Sequence, residues 1–111
     1  MKTRWLAGLA VCAGLMGGGL VVAQSSPENM LLILSKRGHT LAIVDPVSLK
    51  VLAKVPVGDD PHEVIASADG RTAYVSNYGG GSLHTLAVVD LVGQKALPPI
   101  DLTPLRGAHG L

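Results

Sequence analysis

The chain has 111 residues and a formal net charge of +1, from nine basic and eight acidic side chains, and its one cysteine is Cys12. A near-neutral charge without a run of Lys or Arg, and with one Trp and two Tyr as the only large aromatic residues, argues against a nucleic-acid-binding surface. A single cysteine excludes a disulfide framework and a multi-thiolate metal site. No nucleic-acid partner is therefore expected.

The first 23 residues read as an export signal. Lys2 and Arg4 give a positively charged start, and the apolar run that follows ends in small residues before Gln24. This order is typical of a cleaved signal peptide. We therefore predict a signal-peptide helix over 1–23 and a periplasmic or secreted mature protein.

The apolar run also supports two alternatives. Its length from Trp5 to Ala23 is close to the roughly 20 residues that span a bilayer, so an uncleaved anchor would give the protein a membrane partner. The residues before Cys12 loosely resemble a lipoprotein signal, which leaves lipidation as the second alternative.

After a short polar linker over 24–29, the chain reads as short strands separated by turns, with no long apolar pattern at helical spacing. Three strands are predicted first, over 30–35, 40–44 and 50–57, joined by turns rich in Gly, Pro and Asp. Pro56 lacks a donor N–H, which favours an outer edge position for the third strand. The fold class is therefore predicted to be all-β.

Four more strands are predicted, over 63–66, 72–76, 85–90 and 95–102. Asp69-Gly70 lies between the first two of these and is a strong hairpin signal. Pro98 and Pro99 again mark an outer edge strand. The strand over 63–66 is apolar enough that we expect it to be buried on both faces.

Two segments of the chain repeat at an offset of 45 residues, because Leu41-Ala42-Ile43-Val44-Asp45 returns as Leu86-Ala87-Val88-Val89-Asp90. A weaker echo of Pro61-His62-Glu63-Val64 follows in Ala108-His109-Gly110-Leu111. A period in the forties that is built from short strands is typical of propeller blades. We therefore predict β-propeller blades of four antiparallel strands.

The predicted strands amount to under two blades, whereas a ring commonly needs about four to eight. Residues 30–58 are predicted to form an incomplete first blade without its innermost strand. Residues 61–102 would form a second blade, and 108–111 would begin a third. On this interpretation residues 30–111 are a partial β-propeller, and the sequence is an N-terminal fragment of a longer chain.

The motifs of the second blade resemble the YVTN-repeat, or YncE-like, β-propeller family. Three segments carry the resemblance: Pro61-His62-Glu63-Val64, 67–77 and 86–90. Within them, Tyr74-Val75-Ser76-Asn77 is the family signature with Ser in place of Thr. The first blade departs from the pattern, because Leu32-Ile33-Leu34-Ser35 stands where the signature would fall. The resemblance implies a β-propeller module that presents loops to a ligand.

Histidines are the residues best suited to metal or acid–base chemistry near neutral pH. In propeller geometry all four, His39 included, are expected on one loop-rich face. The residues that we expect to meet a ligand there are His62, Asn77, Tyr78, His84 and His109. The alternative interpretation of His62 and His109 is structural, with one imidazole per blade bonding a neighbouring loop.

Aspartates at strand ends have an ordinary explanation. Asp45 and Asp90 recur before turns, where a carboxylate accepts backbone N–H groups. Asp59 and Asp60 could hold a cation through oxygen ligands, but an exposed loop is the preferred interpretation. No catalytic residue, metal ligand or cofactor is therefore assigned from the sequence.

We predict a non-enzymatic binding or scaffold module whose partner is an unidentified protein, a cell-envelope component or a small ligand. One alternative is a lactone hydrolase, because the segment 77–82 also resembles part of the seven-bladed lactonases. The other is a redox propeller lobe that holds a quinone or haem. No Cys-x-x-Cys-His attachment motif supports that lobe in this stretch.

Overall fold

The computed structural model describes residues 29–111, so the predicted signal peptide and most of the predicted linker lie outside the described residues. Within 29–111 the chain forms seven β-strands and one short 3-10 turn. No helix in this range is long and apolar enough to span a bilayer. The all-β prediction is confirmed.

The strands form two antiparallel sheets in which neighbours in sequence are neighbours in space. The first sheet contains β1 (Leu31–Ser35), β2 (Thr40–Val44) and β3 (Val51–Pro56). The second contains β4 (Pro61–Ala66), β5 (Thr72–Asn77), β6 (Thr85–Asp90) and β7 (Lys95–Asp101). Strands β3, which contains Pro56, and β7, which contains Pro98 and Pro99, lie at sheet edges as predicted.

The two sheets pack against each other through one apolar core. Leu41, Ile43 and Val55 of the first sheet are at most 1% exposed, and Val75 and Val89 of the second are fully buried. Because side chains alternate along a strand, β2, β5 and β6 supply every second residue to this core, whereas all seven residues of β7 are exposed. Full burial of one such side chain stabilises the fold by about 1.5–3 kcal/mol.

The innermost strand of the second sheet differs from its prediction. Ile65 of β4 is 47% exposed, although this strand was expected to be buried on both faces. The reason is that β4 is an edge strand that pairs only with β5 among the described residues. In the first sheet, Leu31 and Ile33 of β1 are similarly exposed.

Asp45 and Asp90 cap the turns that follow β2 and β6, as predicted. The Asp45 carboxylate accepts the N–H groups of Val47 and Ser48 at 2.8 and 3.0 Å. The Asp90 carboxylate accepts the corresponding pair of N–H groups at 3.0 and 2.9 Å. The repeat in sequence is thus a repeat in turn structure.

Candidate functional site

All four histidines lie at the same end of the strands. His39 and His84 directly precede β2 and β6, and His62 is the second residue of β4. Antiparallel register brings these strand ends together, because Asn77 pairs with both Pro61 and Thr85. We call this end of the two sheets the histidine face; it consists of 36–39, 57–63, 77–84 and 101–111.

Three aromatic rings of the histidine face contact one another. The rings of His62 and Tyr78 are stacked, with centroids 4.8 Å apart and planes inclined at 29°. The His109 ring meets both edge-on, with its centroid 6.2 Å from that of His62 and 5.6 Å from that of Tyr78. These are favoured geometries for aromatic pairs. We call these three residues the ring cluster.

The loop after β5 brings Tyr78 back to the start of β4. The Tyr78 N–H donates to the carbonyl oxygen of Asp60 at 3.2 Å, and the Gly79 N–H donates to the Asp60 carboxylate at 2.8 Å. Gly79 has φ +56°, and a Cβ at this position would run into the Leu83 side chain. Glycine is therefore required for the turn that places Tyr78 beside His62.

Asp60 is also held from its other side. The Lys36 ammonium lies 3.0 Å from its carboxylate. Hydrogen bonding to Lys36, together with the Gly79 N–H, lowers the pKa of Asp60 below its ordinary value. The carboxylate therefore stays ionised at neutral pH and ties the Tyr78 loop to the first sheet.

Glu63 positions the segment that carries His109. Its carboxylate accepts the N–H of Leu111 at 3.1 Å and also that of Gly110. These two N–H groups, Leu111 first, lower the pKa of Glu63. The His109 Nδ1 atom lies 4.0 Å from a Glu63 carboxylate oxygen, so one carboxylate faces both the segment and its imidazole.

His84 belongs to a separate cluster on the same face. Its Nδ1 atom lies 3.0 Å from the Asp101 carboxylate, which also accepts the Thr103 hydroxyl at 2.7 Å. The backbone N–H and hydroxyl of Thr103, followed by His84, lower the pKa of Asp101 to about 2. His39 is paired in the same way with Asp59, at 3.1 Å. These two imidazoles are anchored through Nδ1.

Asn77 is buried rather than presented to solvent. It is 3% exposed, and its amide nitrogen donates to the carbonyl oxygens of Val57 and Asp59 at 2.8 and 2.7 Å. Its side-chain oxygen accepts the Thr85 hydroxyl at 3.2 Å. Both donors and the oxygen are thus used inside the fold, so we do not include Asn77 in the candidate site.

An apolar cleft of about 210 Å³ lies beside Asn77, between the two sheets. Its lining includes Val57, Ala87 and Leu97. The polar side chains in it, those of Asn77 and Thr85, bond each other. The cleft therefore offers a ligand little polar recognition, and the ring cluster is the stronger candidate site.

The structure thus brings together three of the five residues that the sequence indicated for this face: His62, Tyr78 and His109. It places His84 with Asp101 and buries Asn77. Sequence reasoning assigned no positioning role to Asp60 and Glu63, although both stand within two residues of His62. Among the described residues, no group of three His, Cys, Asp or Glu side chains is arranged to hold a metal ion.

Two observations define the protein as a β-propeller. Its strands form two packed antiparallel sheets, and its fold is similar to that of a solved structure. One chain of hydrazine synthase from Kuenenia stuttgartiensis matches with a TM-score of 0.64 at 26% identity. The match covers 70% of this chain and 22% of that one. The prediction of propeller blades, fewer than two in number, is confirmed.

A curated relative is the dihydro-heme d1 dehydrogenase of Pseudomonas aeruginosa. It is 33% identical over 76 residues, which cover 68% of this chain and 15% of the relative. No protein-family model matches the chain. The chain therefore spans less than a quarter of either similar protein.

Proposed function

We propose that this chain is part of an exported β-propeller of the YVTN-repeat type, and that its histidine face binds a planar haem-type macrocycle. The observation that carries the proposal is the ring cluster of His62, Tyr78 and His109. The name of the dihydro-heme d1 dehydrogenase supports the choice of ligand. Of the functions predicted from the sequence, the proposal therefore favours a redox propeller lobe over a scaffold module that holds no cofactor.

The side chains of the ring cluster suit such a ligand. An imidazole nitrogen is a common axial ligand of haem iron. The imidazole of His62 is exposed and has no hydrogen-bond partner among the described residues, so its nitrogens are free to bind. The stacked Tyr78 ring limits how the imidazole turns, and it adds an aromatic surface for a conjugated macrocycle.

Residues 29–111 would bind the macrocycle without a covalent bond to it. Cys12, the one cysteine of the chain, lies outside them, so residues 29–111 offer no thioether attachment. Asp60 and Glu63 would act as positioning residues, because they fix the segments that carry Tyr78 and His109. A bound haem-type group would supply one-electron chemistry, and the protein would supply its orientation.

Titration with iron protoporphyrin IX tests the proposal. The complete gene product is mixed with the macrocycle, and the visible absorption spectrum is recorded. We expect a shifted Soret band in the wild type and its loss in His62→Ala. Tyr78→Leu removes one stacking partner, worth about 1 kcal/mol, and should weaken binding about fivefold.

His84→Ala is the matched control, because His84 lies on the same face but is anchored to Asp101. It should leave the spectrum of the complex unchanged. A wild-type protein that gives no spectral shift would contradict the proposal, as would a His62→Ala variant that binds as well as the wild type. The lactonase-like alternative stays a prediction, and no contact described above favours it.

A further inference from the structure

The 45-residue repeat relates the buried face of the first sheet to an uncovered face of the second. Leu41 and Ile43 of β2 are fully buried in the contact between the sheets. Their counterparts in β6 are Leu86 and Val88. These two residues alternate with the core residues of β6 and so lie on the side away from the first sheet. The second sheet thus carries, on its outer side, the kind of surface by which the first sheet contacts a sheet.

This outer side, which we call the free face of the second sheet, is apolar. The strand register places Ile65, Tyr74 and Val88 next to one another across it, and Leu86 next to Ile100. Ile65 is 47% exposed and Ile100 is 42% exposed. Among residues 29–111 no further sheet covers this face. Exposed apolar residues that share one sheet face form a patch typical of a contact surface.

The first sheet has a free face of the complementary kind. Ala87 of β6 lies in the core, and its counterpart in β2 is Ala42. Ile33 of β1 pairs with Ala42, and Leu31 lies on the same side two residues earlier. Leu31 and Ile33 are 43% and 46% exposed. We call this side the free face of the first sheet; it corresponds to the surface by which the second sheet contacts the first.

The two free faces can therefore meet as the two buried faces do. Such a contact joins the second sheet of one chain to the first sheet of another, so the matching occupant of each free face is a second copy of this chain. Because the contact uses different surfaces of the two copies, it repeats head to tail. It continues the contact that already joins the two sheets within one chain.

The first sheet also has one strand fewer than the second. The pairing with β2 and β6 shows that β1 corresponds to β5, so the described part of the first sheet has no counterpart of β4. Residues 108–111 repeat residues 61–64, with which β4 begins. The Glu63 carboxylate accepts the N–H groups of Gly110 and Leu111 and holds this segment beside the second sheet. A segment of the kind that the first sheet lacks is therefore held where a second copy would bind.

We propose that this chain assembles head to tail with further copies of itself. The free face of the second sheet packs on the free face of the first sheet of the next copy, and residues 108–111 pair with the open edge of β1 of that copy. Leu111 corresponds to Val64, which pairs with Val75, and Ile33 is the counterpart of Val75 in β1. Leu111 therefore lies opposite Ile33 of the next copy.

The number of blades sets the size of the assembly. A ring of about four to eight blades, with about two blades from each copy, contains about two to four chains. Further blades within one longer chain would instead cover the free faces and leave the protein monomeric. The assembly does not depend on the ligand of the ring cluster, because its contacts involve the sheet faces.

Analytical ultracentrifugation of the complete gene product tests the proposal. We expect the wild type to sediment as an assembly of about two to four chains. Ile65→Glu places a charge on the free face of the second sheet, and Ile33→Glu places one on that of the first. Each variant alone should be monomeric. An equimolar mixture of the two should form a one-to-one dimer, because each variant keeps the face that the other has lost.

Val47→Glu is the matched control, because Val47 is 91% exposed in the turn between β2 and β3 and lies outside both free faces. It should assemble as the wild type does, and all three variants should keep the circular dichroism spectrum of the wild type. A monomeric wild type would overturn the proposal. Self-association of either Ile variant alone, or a mixture of the two that stays monomeric, would do the same.

A disulfide between copies tests the strand pairing. In the absence of other cysteines, Leu111→Cys protein is mixed with Ile33→Cys protein under mild oxidation. Paired residues of antiparallel strands have Cα atoms about 4.5–5.5 Å apart, a distance that a disulfide can bridge. We expect at least fivefold more mixed disulfide than from Leu111→Cys with Val47→Cys. Equal yields from the two mixtures would show that residues 108–111 do not pair with β1 of another copy.

Discussion

The Asn77 side chain joins the two sheets, because its amide nitrogen donates to the carbonyl oxygen of Val57 at 2.8 Å. Asn77 ends β5 in the second sheet, whereas Val57 follows β3 in the first. A second bond from the same nitrogen reaches the Asp59 carbonyl oxygen at 2.7 Å. One buried amide therefore satisfies two backbone carbonyls in the segment between the sheets.

Asn77→Ala should lower the free energy of unfolding by about 2–3 kcal/mol, because it leaves the buried carbonyl group of Val57 without its donor and also removes the partly buried bond to Asp59. Urea unfolding measures the change. Gln94→Ala removes an exposed amide and is the control, for which we expect a change within about 0.5 kcal/mol. Equal effects of the two substitutions would show that the Asn77 bonds do not hold the sheets together.

Leu41→Ala should destabilise the fold by about 3 kcal/mol, because Leu41 is fully buried at the contact between the sheets. Leu105→Ala changes the same residue type at a position that is 69% exposed and should cost well under about 1 kcal/mol. Thermal and urea unfolding of both variants check the location of the core. If the Leu41→Ala protein were as stable as the Leu105→Ala protein, Leu41 would not belong to the core.

Gly79→Ala should destabilise the loop that carries Tyr78 more than Gly80→Ala does. Both glycines have positive φ, which costs an alanine about 1 kcal/mol. A Cβ at Gly79 also meets Leu83, whereas nothing lies within 4 Å of one at Gly80. We expect a difference of about 1–2 kcal/mol in the free energy of unfolding. Similar losses at both positions would mean that the loop yields to the added methyl group.

Removal of the Asp101 carboxylate should change the pH dependence of stability. Its pKa is lowered from 3.8 to about 2 in the folded protein, so its ionised form stabilises the fold above about pH 4. Asp101→Asn should therefore be less stable than the wild type at pH 6. The difference should shrink as the pH falls from about 4 towards 2, where the wild-type carboxylate takes up its proton.

Urea unfolding of both proteins at a series of pH values measures this difference. An NMR titration of the Asp101 carboxyl carbon gives its pKa directly, and a value near 3.8 would contradict the bonding to Thr103 and His84. Because other carboxylates titrate in the same range, it is the difference between the two proteins that isolates Asp101.

Local sequence was sufficient to predict the strands and turns of this protein. Aspartate caps such as Asp45 and the prolines of β3 and β7 act within a few residues, so their effect is visible in the sequence. The 45-residue repeat in addition predicted the blade architecture, because similar segments of sequence fold into similar hairpins. Every predicted strand lies within two residues of its observed bounds.

The candidate site depended on contacts between residues that are far apart in sequence. His62 and Tyr78 stack because the loop after β5 bonds back to Asp60, and His109 joins them through Glu63, 46 positions earlier in the chain. The sequence indicated these residues for one face but did not show which of them contact one another.

Asn77 lies on the same face of β5 as the buried Ala73 and Val75, and this face packs in the core. The bonds that its side chain makes to Val57 and Asp59 depend on the contact between the two sheets. The sequence by itself determined the blades and the end at which the histidines lie. Only the packing of the two sheets decided which side chains remain available to a ligand, because burial and long-range hydrogen bonds occupy some of them and leave others exposed.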